Sequence, residues 1–380
     1  MIRIKVYIID IVLLFFGISS TFGLVLQNGQ PSENERPADG IVGAWNNTAS
    51  FYSNGASCNV IGPDYILTTR HQGNGVGTII TIGGVNYTVA EVFPHSTADI
   101  RVARIIDSNG RPANLKFVGV YSKTDEVGQE IVIGGCGLGG IPYPNANHIL
   151  YYSWEANNSN TTPLLRWGTN CVSSYQDNFS SVSPYTSDIL TCTFTSIKST
   201  DATTYEAAVA NHDSGGGWFI KDTDGEWKVA GLSAYVSRMN YTYFSDYFSA
   251  IRVSSYASWL KENHYVLDYG DANRDGKVDV GDLGILAANY GMSDKLWDDG
   301  DFNADGCVDV GDLGLLAANY GIGTSGSDFS ADDTKSFNTA NESSESDSNP
   351  ICSSFGLVIV TGLLIFILLT NVLITDLRIH

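Results

Sequence analysis

Apolar residues recur along most of this chain in short runs. VIGPDYILTT, VGTIITIGGVNYTVAEV, IRVARI, EIVIGG and EWKVAGLSAYV are rich in Val, Ile, Thr and Tyr, with Gly, Asn, Ser and Pro between them. Runs of this length, bounded by turn formers, predict β-strands, and their number before Tyr269 predicts an all-β barrel or sandwich. One window differs. From Ser245 to Asn263, Phe248, Ile251, Tyr256 and Trp259 fall at mixed three- and four-residue steps, which predicts a helix closing this region. Further on, LGILAANYG and LGLLAANYG predict two short helices, each ending in a glycine suited to a C-cap.

Two longer apolar runs lie at the ends. Residues 1–23 read as a secretory signal: Arg3 and Lys5 form the charged end, Ile11 to Ile18 the apolar core, and a cut falls near Ser20 or Gly23. Export implies an oxidising compartment, where some of the six cysteines could pair. Residues 355–374, Phe355 to Ile374, form a 20-residue run without charge, enough for one bilayer crossing. Arg378 beyond it fits a cytoplasmic end. Residues 323–354 are rich in Ser, Asp, Asn and Thr and predict a disordered stalk. The expected location is the cell surface, anchored by the C-terminal run, or secreted if that tail is removed.

The two short helices belong to an internal repeat. Asp271 to Gly291 and Asp301 to Gly321 differ only at Ala272/Phe302, Arg274/Ala304, Lys277/Cys307 and Ile285/Leu315, so 17 of 21 positions are identical. Each copy places oxygen side chains at loop positions 1, 3, 5, 9 and 12. These are Asp271, Asn273, Asp275, Asp279 and Asp282, then Asp301, Asn303, Asp305, Asp309 and Asp312. Position 7, Lys277 or Cys307, would offer its backbone carbonyl. Position 6 is glycine in both, Gly276 and Gly306. A hard cation such as calcium takes six to eight oxygens at this spacing. The paired loop-helix units, residues 268–322, resemble a dockerin type I module. The resemblance implies two calcium ions and a cohesin-type partner. At positions 10 and 11, Val280-Gly281 and Val310-Gly311 replace the hydroxyl pair that many dockerins carry for recognition.

The formal net charge is −20. From Asp268 to Asn349, 18 acids stand against 4 bases, so −14 of it lies in the repeats and stalk. Nothing basic points to nucleic acid.

Three segments of the β-rich region carry chemistry. DYILTTRHQ is an apolar strand ending at His71. ADIRVARI opens with Asp99 and runs into a strand. NHDSGGGWFI sets Ser214 in a glycine turn before a strand. A serine hydroxyl is a poor nucleophile near neutral pH. It needs an imidazole to take its proton, a buried carboxylate to orient that imidazole, and N–H groups aimed at the developing oxyanion. The order His, Asp, Ser is that of the chymotrypsin arrangement.

These segments, over residues 41–264, resemble the chymotrypsin-like (trypsin-like) serine protease family. The resemblance implies a two-barrel fold and an endopeptidase acting on a protein or peptide substrate. It implies a triad of His71, Asp99 and Ser214, and an oxyanion hole from the backbone N–H groups of His212 and Ser214. His212 stands where the family usually has glycine. A specificity pocket would lie at Ala208, Ser233 and Val236; with no acid at its floor, it suits a small or medium apolar side chain. Cys171 and Cys192 match the placement of a family disulfide. Ile41-Val42-Gly43 looks like an activated N-terminus, but Asp39-Gly40 precede it. Ile41 to Phe51 is therefore read as the first barrel strand, and Asp213 needs another partner. Two other readings stay open: a catalytically inactive, protease-like binding module, and a structural cell-surface protein that assembles through the dockerin.

Overall fold

A computed structural model describes residues 24–37, 43–45, 56–73, 75–145, 148–154, 165–180 and 184–324. The expected signal, most of the stalk, and the 355–374 run lie outside the described residues, as does Ile41. No helix among the described residues is long and apolar enough to cross a membrane.

The chain is mainly β. Strand β1 (Val25–Leu26) comes first. β2 (Gly43–Trp45), β3 (Ala56–Gly62), β4 (Tyr65–Thr69), β5 (Ile79–Ile82), β6 (Val85–Pro94) and β7 (Ile100–Ile106) then form a closed barrel in the order β2-β3-β4-β7-β6-β5. Gly43–Trp45 thus belongs to a first barrel strand. Val60, Ile66, Ile80, Val89, Ala103 and Ile105 point inward and are buried together. Alternate residues on a strand face opposite sides, so each strand supplies one row to this core.

The second unit contains β8 (Gly119–Val120), β9 (Glu130–Gly135), β12 (Arg166–Phe179), β13 (Ser187–Thr193), β15 (Gly217–Lys221), β16 (Trp227–Val236) and β18 (Tyr247–Arg252). They form a seven-stranded sheet in the order β15-β9-β12-β13-β18-β16-β8. β15 also pairs with β16, so six of these strands close a ring. A side sheet joins β10 (Gly140–Asn145), β11 (His148–Trp154) and β17 (Tyr241–Tyr243), and β1 pairs with β14 (Ala207–Ala208). Trp218, Phe194, Leu190, Ile131 and Phe248 fill the core between these sheets.

The predicted helix at Ser245 to Asn263 is only partly present. Tyr247–Arg252 is strand β18, and only Ala257–Glu262 is α-helix, α1. Edge-to-edge pairing with β13 and β16 along this segment outweighs its helical spacing, a tertiary override of local pattern. The two repeat helices are α2 (Val280–Asn289) and α3 (Val310–Asn319). Asp279 and Asp309 cap them, each accepting the N–H of the glycine two residues on at 2.7 Å.

Cys171 and Cys192 do not form the expected disulfide; both are free thiols, as is Cys136. The register explains this. Cys192 lies opposite Val172, so its neighbour Cys171 points to the other face of the sheet. Cys192 is buried in the core while Cys171 is half-buried.

Candidate active site

The pairing of β4 with β7 sets the site. Thr69 lies opposite Ile100, so the residues that follow β4 and the residue that precedes β7 meet at one barrel rim. Asp99 is fully buried there. Its Oδ1 accepts the backbone N–H of Arg70 (2.9 Å) and of His71 (2.7 Å), and its own N–H donates to the Ser187 hydroxyl (2.9 Å). Its Oδ2 lies 2.6 Å from His71 Nδ1 and 3.4 Å from the Tyr235 hydroxyl. The imidazole is 21% exposed and the carboxylate 0%, so solvent reaches the ring while its orienting partner stays dry.

Ser214 comes from the turn between β14 and β15, in the second unit. His71 Nε2 lies 2.9 Å from its Oγ. The first barrel grips this turn: Ser57 N–H donates to the Ser214 carbonyl (2.8 Å) and Asn59 Nδ2 to the Gly215 carbonyl (2.8 Å). From the other side Gly215 N–H donates to Ser233 O, and Ser233 N–H to Gly216 O, both at 2.8 Å. Gly215 has φ +81°, and a Cβ there would stand 2.1 Å from the Ser57 carbonyl oxygen. Only glycine fits. The structure thus brings His71, Asp99 and Ser214 into one hydrogen-bonded line across the two units.

His212 takes φ +71°, a region that side chains with a Cβ disfavour. It is the backbone shape a glycine would adopt here without strain. Burial pushes its imidazole pKa down, which favours the neutral ring. His95, the other histidine near the site, is a structural residue. Its Nδ1 accepts the Ala98 N–H at 3.1 Å, and its ring packs edge-on against Tyr256 and Trp259.

Asp213 has the partners that the sequence left unnamed. Its fully buried carboxylate accepts N–H groups from Gly137 (2.7 Å), Ala210 (2.8 Å) and Leu24. Burial pushes its pKa up to about 7, against the pull of those N–H groups and of Arg166. Leu24 lies at the end of β1 with no exposed surface, held by the β1–β14 pairing beside the Ser214 turn. No sequence pattern marked this contact.

Of the three expected pocket residues, Ala208 and Val236 line one small cavity with Trp154, Tyr247 and Phe248. Its volume is about 10 Å³, room for one water. Ser233 does not line it. Its hydroxyl is turned into the core and accepts the Trp218 indole N–H at 3.0 Å. A wider groove of about 470 Å³ begins on the far side of Val236, between Tyr235, Phe179, Gln176 and Ile189.

The two repeat loops are near copies in space as in sequence. Asp271 accepts the N–H groups of Asp275 (3.1 Å) and Gly276 (3.0 Å), and Asp301 those of Asp305 (3.2 Å) and Gly306 (2.8 Å). Asp282 accepts Ala272 and Asp279 N–H, and Asp312 accepts Phe302 and Asp309 N–H. These four carboxylates are buried. Burial first, and neighbouring carboxylates after it, push Asp271 up to about 6 and Asp301 to about 7. Among the described residues no three carboxylate, imidazole or thiol groups converge into a preassembled cage. The donor chemistry nonetheless fits a hard cation: carboxylate and amide oxygens on a loop already folded around its first and last positions.

The chain matches no protein-family model and no curated protein.

Proposed function

We propose that this chain is a serine endopeptidase of the chymotrypsin-like kind, joined to a calcium-binding dockerin-like module. The observation that carries the reading is the line from Asp99 through His71 to Ser214, with contacts of 2.6 and 2.9 Å. With its proton on Nδ1, held by Asp99, His71 presents a lone pair on Nε2 to the Ser214 hydroxyl. As Ser214 Oγ attacks a peptide carbonyl carbon, its proton passes to His71 Nε2. Asp99, dry and fixed by two backbone N–H groups, stabilises the imidazolium. The carbonyl oxygen gains the negative charge, and the N–H groups of Ser214 and His212 receive it. The proton on His71 then goes to the leaving amine as the C–N bond breaks, leaving an acyl-serine. Water, deprotonated by His71, releases the acid and restores the hydroxyl.

Val236 and Ala208 narrow the pocket expected there, which suits a small side chain before the scissile bond. Extended peptide binding would use the groove past Tyr235. Asp213 suggests how the site matures. If the leader is cut after Gly23, the Leu24 N–H becomes an α-ammonium against a buried carboxylate. Ile41 is not needed for this.

In the module, the side chains of Asp271, Asn273, Asp275, Asp279 and Asp282, with the Lys277 carbonyl, would hold one calcium ion. Their counterparts, with the Cys307 carbonyl, would hold the second. The cation supplies charge neutralisation to these loops and takes no part at Ser214. Val280 and Val310, 67% and 60% exposed, present a symmetric apolar pair to a cohesin-type partner.

The test is labelling of the full chain with a fluorophosphonate. Wild type should label, and Ser214→Ala should not. A well-folded wild type that fails to label, while binding calcium, favours the inactive binding-module reading.

A further inference from the structure

A docking module carried on a free linker would touch its catalytic domain little. Here the joining segment is buried: Tyr265 and Leu267 are 8% and 5% exposed. The backbone of Tyr265 runs so close to β3 that a Cβ on Gly62 would stand 2.9 Å from its carbonyl oxygen.

The contacts beyond that segment fall on the calcium loops themselves. Arg274 occupies position 4 of the first loop, between two expected ligands. Its guanidinium bonds Asp64 of the first barrel (2.8 Å) and Asp298 of the module (2.6 Å). Asp64 has no exposed side-chain surface and shares its charge with Arg104 of β7 (2.9 Å). Asp301 is position 1 of the second loop, and its Oδ2 accepts the side-chain N–H of Asn114 (2.7 Å), a residue between β7 and β8. Phe117, from the same connection, stacks on Tyr269 (4.9 Å between centroids) and packs on Trp297 (5.4 Å). Trp297 in turn donates its indole N–H to the carbonyl of Asp271, position 1 of the first loop (2.7 Å).

We propose that the module is a brace of the first barrel, and that cation binding in its loops stabilises the barrel wall that leads to His71. The physical link is direct. A loop that closes on calcium fixes the positions of Arg274, Asp271 and Asp301. Those three residues hold Asp64, Phe117 through Trp297, and Asn114. Asp64 is the residue before β4, and β4 ends two residues short of His71. A ligand that binds only the folded loops adds its linkage free energy to every opening that must break these contacts. Val280 and Val310 are exposed and stay free for another protein. The inference rests on the calcium reading of the loops and not on the chemistry of Ser214.

Amide hydrogen exchange on the full chain tests it without any activity readout. Calcium at about 100 times its dissociation constant should slow exchange in the module about 100-fold for each site that an opening empties. Peptides covering residues 64–69 and 112–118 should slow with it, since they open together. Arg274→Met and Asn114→Ala remove barrel contacts of the module and no calcium ligand. Both should still bind calcium by titration calorimetry, while slowing in residues 64–69 (Arg274→Met) or 112–118 (Asn114→Ala) is lost. Slowing confined to residues 268–322 in wild type overturns the proposal. So does unchanged barrel slowing in both variants, or no calcium binding at all. Ser214→Ala should behave as wild type, which separates this result from the fate of the protease reading.

Discussion

The backbone N–H of Leu24 donates to the buried carboxylate of Asp213, the residue immediately before Ser214. While residues precede Leu24 that donor is neutral, and burial raises the carboxyl from its ordinary 3.8 to about 7. A raised carboxyl favours the folded state below pH 3.8, and that contribution is lost as pH rises through 7. The loss is about 4 kcal/mol for a shift of this size. An α-ammonium at Leu24 would favour the charged carboxylate and remove most of that loss. With calcium saturating the repeat loops in both, a chain beginning at Leu24 should therefore lose less stability from pH 4 to 7.5 than one whose Leu24 N–H stays an amide. A chain with two residues added before Leu24 should lose stability over the same range. Parallel profiles would show that Asp213 is indifferent to the terminus. If the leader is cut after Gly23, mass spectrometry of the mature protein should find Leu24 first.

Asp99→Asn should leave the fold intact and slow fluorophosphonate labelling by about 10⁴-fold. The amide still fills the rim but favours the wrong His71 tautomer. A loss below tenfold would mean that Asp99 is only a structural acceptor for Arg70 and His71 N–H.

Gly215→Ala should cost several kcal/mol or displace the turn. The new methyl would meet the Ser57 carbonyl oxygen at 2.1 Å on a backbone with φ +81°. His212→Gly is the contrasting case. It removes αL strain of about 1–2 kcal/mol and keeps the N–H. Labelling should stay within about tenfold of wild type if, as proposed, the oxyanion is held by backbone N–H groups and not by the imidazole. A collapse of labelling would instead assign the ring a part in the chemistry.

Val236→Gly should open the cavity beside Ala208. Cleavage profiling on a peptide library should move from glycine and alanine toward larger apolar residues before the scissile bond. One methylene is worth about 10- to 200-fold in such a pocket. An unchanged profile would place the specificity site elsewhere, in the groove past Tyr235.

Much of the site was legible because its parts are local. The strand ending in His71, the acid opening ADIRVARI and the serine in its glycine turn are each contiguous in sequence. So are the twelve loop positions of each repeat. The failures were long-range. The window from Ser245 looked helical, yet backbone pairing with β13 and β16 claimed its first half. Cys171 and Cys192 looked like a bridge, yet the register sets Val172 opposite Cys192. Ser233 looked like a pocket wall, yet the Trp218 indole draws its hydroxyl inward.

By itself the sequence determined the mainly β character, the two helices of the repeat and the oxygen-rich loops. Side-chain period and loop spacing are properties of consecutive residues and need no partner. Only the tertiary structure decided what meets across the chain. It set Ser214 beside His71 and Asp99 through the Ser57 and Asn59 contacts with its turn, and Leu24 against Asp213 through a two-residue strand. It also seated the repeats on Asp64, Asn114 and Phe117. Those are burials of charge and ring at sequence separations above 100 residues. The chain encodes them through packing, and no local pattern carries them.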